Sequence, residues 1–323
     1  MKSLIVKNPF LDPIIPKRTH WSHSSRKLFE KCKRKFYWKQ ILRISPRREA
    51  APLVVSKAIH QGLAKWYGGK RTSMKKVAAR ITEETQKRIE QNVNFYDQDD
   101  YDELQTLLNT LTGMLMGYVE VYSEDRENWV YNKNDQEVWF QVDMGSFDYR
   151  GLIDLLPVQK SKQLVVDHKV LSNFGVSFIE TLPMDGQLRS YILGATQGLK
   201  RSPKKVVYNI IRKCKLRQKS NETTEEFSER IQEDYLNRPG FYFHRETLRF
   251  SKDDIAALER DLQEVHAEFA WHVNKSDNPL EPEEWPCCSG HNCTEFFSTC
   301  PYLPLCTQGL DRGTGRLYTQ YNK

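Results

Sequence analysis

The sequence predicts a mixed α/β fold in the order α-β-β-β-α-β, with a helical region ahead of the sheet and a cysteine-rich loop behind it. Three observations carry that prediction. Apolar residues recur at helical spacing up to about residue 122, the pattern changes to strand-like alternation from residue 137, and five of the seven cysteines fall within residues 287–306. With 323 residues, 39% hydrophobic and 28% charged, the chain can build a core without disulfide staples. No stretch approaches the roughly 20 apolar residues of a membrane-crossing helix, so no membrane partner is expected. Lys7, Asn8, Pro9 and Asp12 interrupt the N-terminal apolar run before a signal-peptide core could form, which predicts an intracellular, cytoplasmic protein.

Taken in order, residues 22–25 offer a serine cap for a helix over 26–41, with Leu28, Phe29, Cys32 and Phe36 on one face. Pro46 and Pro52 bracket a linker. Val55, Ile59, Leu63 and Trp66 then form one stripe of a helix over 53–67, stopped by Gly68 and Gly69. Two polar helices, 73–92 and 99–122, read as a helical insertion or lid spanning 73–124. Residues 137–144 (EVWFQVDM), 149–156 (YRGLIDLL) and 163–170 (QLVVDHKV) read as a three-stranded meander. Pro183 opens a helix to about 196, residues 204–211 (KKVVYNII) form a further strand, and 223–236 and 251–273 form later helices. The sheet core is thus placed at 137–212 and the cysteine-rich loop at 286–310, within one domain over 1–323.

Charge is unevenly distributed. The net charge is +7, yet residues 17–48 hold twelve basic side chains against one acid, Glu30. Trp21, Phe29, Phe36, Tyr37 and Trp38 interleave with these cations, as in a surface that tracks a phosphate backbone. A second basic stretch, NIIRKCKLRQK, occupies 209–219. An odd number of cysteines argues against a disulfide framework and for reduced thiols able to hold a metal; Cys32 lies early, Cys214 alone and the rest together.

The residues with the clearest chemistry sit in the strands. Asp154 ends the apolar run GLI, and Asp167 and Lys169 are two apart in VVDHK, so they share one strand face while His168 points away. Carboxylates planted in buried strands are costly unless cations offset them, and one lysine is too little for two acids. A hard divalent cation, Mg²⁺ or Mn²⁺, would supply the balance, with the lysine acting on water beside a phosphodiester. Read alone, D-x-K is also consistent with a plain salt bridge.

The chain resembles the PD-(D/E)XK nuclease superfamily, and within it the RecB-type exonuclease branch, which includes CRISPR-associated, helicase-linked and phage-encoded nucleases. The resemblance runs from about Ser22 to Cys306 through motifs in one order. The first is SHSSRKLFEKCKRKFYW, with Lys33 where the family has proline. SKAIH follows, with Ser56 in place of glycine, and then GLID, DHK and QLRSY. It implies a restriction-endonuclease-like core. It further implies that His60, Asp154, Asp167 and the backbone carbonyl of His168 hold Mg²⁺ or Mn²⁺, that Lys169 activates water, and that Gln187 and Tyr191 position Lys169 or contact substrate. Some members carry a [4Fe-4S] cluster on an early cysteine and a late C-x₂-C-x₅-C. Here Cys32, Cys300 and Cys306 match; Phe297 occupies the remaining place, and Cys293 is the nearest substitute. Zn²⁺ is the alternative, with Cys287, Cys288 or His291 in the set.

The expected activity is metal-dependent DNA hydrolysis, as an exonuclease in recombination, repair or replication. DNA is the expected partner. A helicase, single-strand-binding or recombination protein would be a separate chain, because no G-x-x-x-x-G-K-S/T motif is present. The competing reading is an inactive DNA-binding or scaffold protein with a nuclease fold and a structural metal.

Overall fold

The computed structural model describes residues 18–68, 73–275, 281–288, 290, 292–295, 298–310 and 315–320. Two compact units emerge. One is formed by residues 49–142 and 150–258; the other takes the remaining segments up to 48, 143–149 and from 259 onward.

The first unit begins with α1 (Ala51–Tyr67), α2 (Met74–Glu90) and α3 (Gln98–Val121). Pro52 lies in the first turn of α1, where its missing N–H costs nothing, and Asp97 caps α3 by accepting from the Asp100 amide. The segment expected as an insertion or lid is built into the core. Leu111, Met114, Leu115 and Tyr118 of α3 pack with Val55, Ile59 and Leu63 of α1 and with Ile231 and Tyr235 of a later helix, α5 (Thr224–Asn237). Its polar composition reflects one wet face; the apolar residues follow the helical period.

The strands follow as β1 (Gln136–Asp143), β2 (Phe147–Leu155), β3 (Lys162–Leu171), β4 (Lys205–Arg212) and β5 (Phe243–Leu248). β1 pairs with β2, β2 runs antiparallel to β3, β3 parallel to β4, and β4 antiparallel to β5. β3 and β4 are buried almost throughout and rich in valine and isoleucine, as a strand covered on both faces requires. The parallel step needs a crossover, and α4 (Gly186–Leu193) lies on it. This helix starts later than Pro183 suggests. Pro183 sits in a 3₁₀ turn, and Asp185, whose carboxylate accepts from the Gln187 and Leu188 amides, is the actual cap. β5 lies outside the expected strands because FHRETL carries its polar residues toward partners that only pairing reveals.

In the second unit the helix expected over 26–41 is broken. His23–Lys31 stops at Cys32, whose backbone is extended at φ −161°, and the chain resumes in Lys33–Phe36 and a π turn to Ile41. Thr19–Trp21 pairs in parallel with Phe147, Asp148 and Tyr149. Trp21, Phe29, Phe36, Phe269 and Trp285 form an aromatic core. Late chain is stitched onto early chain: Arg34 donates its amide to Pro286 O and Asn292 its side-chain amide to Lys31 O, and Tyr318–Gln320 pairs with Ile44–Pro46. Part of the early basic charge is used internally, in Arg18–Asp148, Arg26–Glu30 and Lys33–Glu268 contacts.

Candidate active site

Four elements of the first unit bring the expected residues together. α1 supplies His60, the end of β2 Asp154, β3 the Asp167, His168 and Lys169 run, and α4 Gln187 and Tyr191 one turn apart. Asp167, His168 and Tyr191 are buried; Lys169, Gln187, Asp154 and His60 are partly open.

On one side the four residues of β3 and α4 close a ring. The Lys169 ammonium donates to Gln187 Oε1 at 2.8 Å, Gln187 Nε2 donates to the Tyr191 hydroxyl at 2.7 Å, and that hydroxyl donates to Asp167 Oδ1 at 3.0 Å. Lys169 Nζ also stands 3.5 Å from Asp167 Oδ2. Every proton in this ring has one direction, because an ammonium can only donate and an ionised carboxylate only accept. On the other side, Asp154 Oδ2 accepts from the His168 backbone amide at 2.8 Å and lies 3.5 Å from His60 Nδ1. A small cleft opens over His60, Asp154 and His168, with Ala64, Tyr67, Gln136 and Glu137 completing its wall.

The electrostatics separate the two aspartates. Burial pushes Asp167 up to about 6, against the opposing pull of Lys169, with the Asp154 charge adding to the rise. Burial acts on Asp154 in the same sense, but the hydrogen bond and charge of His60 outweigh it and hold the carboxyl below its usual range. His60 is raised in return: burial disfavours its charge, and Asp154 more than compensates. Lys169 stays a firm cation because Asp167 and Asp154 override its burial. Burial lowers the His168 imidazole to about 3, so it is neutral.

Among the described residues no three His, Cys, Asp or Glu side chains are drawn together tightly enough to grip one ion unaided. The donor set nevertheless suits a divalent cation. Among the described residues Asp167 Oδ2 is buried without a hydrogen bond, with the Lys169 ammonium 3.5 Å away, and an unsatisfied oxygen of a buried acid is where a hard cation gains most.

The cysteines lie elsewhere in the chain, in the second unit. Cys288 Sγ is 3.8 Å from Cys293 Sγ, and the Cys32 thiol interacts with Cys288. Burial acts upward on Cys288, but the Asn292 amide and the Cys293 and Cys32 thiols outweigh it and lower its titration. Cys300 donates its amide to Cys293 O at 2.7 Å, and Cys306 is exposed. Cys214 is buried in the other unit. Cys288, first considered only as a zinc alternative, is thus the direct neighbour of Cys32. His291 and Phe297 lie outside the described residues.

Sequence reasoning missed a group of polar residues behind His168, the buried Tyr67, Tyr118, Asp125 and Asn209 and the partly buried Arg245. No local motif marks them, since their adjacency depends on the pairing of β3, β4 and β5.

The sequence profile of the PD-(D/E)XK nuclease superfamily matches residues 20–307. The chain belongs to that superfamily, and its mixed sheet with flanking helices is the core expected of it. Among solved structures, a crystal structure of a protein from Eubacterium rectale described as a candidate exonuclease is similar at 11% identity and a TM-score of 0.47, covering 90% of this chain and 94% of that one. No curated protein matches the chain.

Proposed function

We propose that the chain is a divalent-cation-dependent deoxyribonuclease of the RecB type, acting as an exonuclease. The closed ring of Asp167, Tyr191, Gln187 and Lys169 carries this reading. It holds an ammonium 3.5 Å from a carboxylate oxygen that lacks a hydrogen bond, the pairing needed to orient a water beside a phosphodiester. Asp154 and Asp167, with His60 and the His168 carbonyl, would hold Mg²⁺ or Mn²⁺. When bound, that ion offsets the phosphate charge and stabilises the charge that develops in hydrolysis. Lys169 holds its proton through Asp167 and donates toward the attacking water or the phosphate. Gln187 fixes the ammonium in place, and Tyr191, by occupying Asp167 Oδ1, would leave Oδ2 available to the cation.

Cys32, Cys293, Cys300 and Cys306 are the proposed ligands of a [4Fe-4S] cluster, with Zn²⁺ as the competing metal. The proximity of Cys288 to Cys32 and Cys293 brings it into either set. Its role is to tie the early chain to the late chain, where hydrogen bonds already join the two.

Digestion of end-labelled linear DNA and closed circular DNA, with and without EDTA, tests the activity. Linear DNA is expected to be consumed, circular DNA spared and both preserved in EDTA. A salt-sensitive gel shift with no turnover in Mg²⁺ or Mn²⁺ would instead establish the binding or scaffold role.

A further inference from the structure

Register places His168, Asn209 and Arg245 side by side across β3, β4 and β5, because His168 pairs with Asn209 and Asn209 with Arg245. Three polar residues therefore share one row of a sheet whose surroundings are apolar. Their hydrogen bonds can be followed proton by proton.

Arg245 Nε donates to Asn209 Oδ1 at 2.9 Å. A guanidinium has no acceptor, so this bond fixes which end of the Asn209 amide is oxygen. The NH₂ end must then face the other two neighbours, His168 Nδ1 at 2.8 Å and the Tyr118 hydroxyl at 2.8 Å. Tyr118 also receives Arg245 Nη2 at 3.2 Å, so its own proton goes to the Tyr67 hydroxyl at 2.9 Å, and Tyr67 donates to Asp125 Oδ2 at 2.6 Å. Asp125 closes the circuit by accepting two bonds from Arg245, at 2.8 and 2.6 Å. Asn209 is fully buried. Reversing its amide would set two donors against each other at Arg245 in a buried position, at the full cost of an unsatisfied polar group.

His168 Nδ1 is therefore an acceptor, and the single proton of the neutral ring sits on Nε2. The Tyr67 ring stacks on the imidazole at 5.6 Å and 17°, which fixes its plane. Nε2 has no hydrogen-bond partner among the described residues and is not among their buried unsatisfied atoms, while His168 lines the cleft.

We infer that Arg245 and Asn209 are positioning residues that lock the His168 imidazole as an Nε2–H donor into the cleft, where it serves a phosphate oxygen of the substrate and stays out of the cation's ligand set. The inference rests on reading the cleft as the phosphate site. It divides the labour of His168: the backbone carbonyl serves the cation and the side chain the anion. A histidine beside a metal would ordinarily compete for it through a free ring nitrogen; here the one free nitrogen carries a proton.

The test is long-range ¹H–¹⁵N NMR of the histidine rings in the full-length protein at pH 8, with His168 assigned through His168→Gln. The wild type is expected to show the proton on Nε2; a proton on Nδ1 overturns the inference. Asn209→Asp, nearly isosteric and still a partner for Arg245, replaces the donor with an acceptor and is expected to move the proton to Nδ1. That frees Nε2, so Zn²⁺ affinity by calorimetry should rise at least tenfold while Mn²⁺ affinity changes less than threefold. An unchanged tautomer in this variant also overturns the inference. If Asn209→Asp fails to fold, the wild-type spectrum still decides. For the substrate contact, His168→Gln, which keeps a side-chain N–H, should retain KM for DNA within threefold, whereas His168→Leu should raise it at least tenfold. Equal KM values in the two variants remove the phosphate contact. The expected tautomer in a protein that never cuts DNA would leave the relay intact and defeat only the nuclease reading.

Discussion

Asp167 sits where burial makes its charge costly to the fold. It is 2% exposed, and its pKa is pushed up to about 6. Because the folded value lies above the unfolded 3.8, the cation-free native state binds more protons than the unfolded chain between about pH 4 and 6, and this group's contribution falls as pH rises through that window. Asp167→Asn is therefore expected to raise the melting temperature in EDTA at pH 7, by roughly 2–4 °C per kcal/mol regained, and to make little difference near pH 4. Melting both proteins across that range checks it; an equal difference at pH 4 and pH 7 would show that Asp167 titrates normally. The same protonation opposes cation binding, so Mn²⁺ affinity should fall steeply below about pH 6, approaching tenfold per pH unit where one proton is displaced. Calorimetric titrations in buffers of different ionisation enthalpy would count that proton. For catalysis, Asp167→Ala and Lys169→Ala should each lower turnover at least a thousandfold while the circular dichroism spectrum is retained. Undiminished cleavage by either variant would displace the site.

At the scale of elements, the contact between α3 and α5 has little room. A Cβ on Gly113 would lie 2.5 Å from Ser228 O, and one on Gly117 would lie 2.6 Å from Tyr235 Cβ. These glycines let two helices approach closely, and the approach places Tyr118, on the same helix, against Asn209. Gly117→Val should cost about 2 kcal/mol or more by forced overpacking, measured as a shift in the urea midpoint. A variant that unfolds at the wild-type midpoint would mean that the helices yield freely. The apolar period made α3 recognisable as a helix. Its place in the core was not recognisable, because a glycine at a helix contact and a glycine at a weak point look alike in sequence.

Across the whole molecule, the early basic segment and the late cysteines meet within one unit, so a metal on those thiols would tie the two ends of that unit together. Cys32→Ser and Cys288→Ser are each expected to lose bound iron or zinc, by elemental analysis of anaerobically purified protein, and to melt well below the wild type. Metal-free wild-type protein with an unshifted melting temperature would leave these thiols as ordinary side chains. The basic segment also gives less to DNA than its composition suggests, since Arg18, Arg26 and Lys33 contact acids of the protein itself.

By itself the sequence determined the strand alternation, the pairing of Asp167 with Lys169 on one face and the i, i+4 spacing of Gln187 and Tyr191. Each follows from a local period of two or 3.6 residues and needs no knowledge of neighbours. Only the tertiary structure decided the break at Cys32, the capping of α4 by Asp185 in preference to a start at Pro183, the strand at 243–248 and the relay from Arg245 to His168. Those depend on which segments lie side by side. A partly buried arginine and a buried asparagine acquire meaning only when strand register gives each donor an acceptor, and register is a property of the assembled sheet.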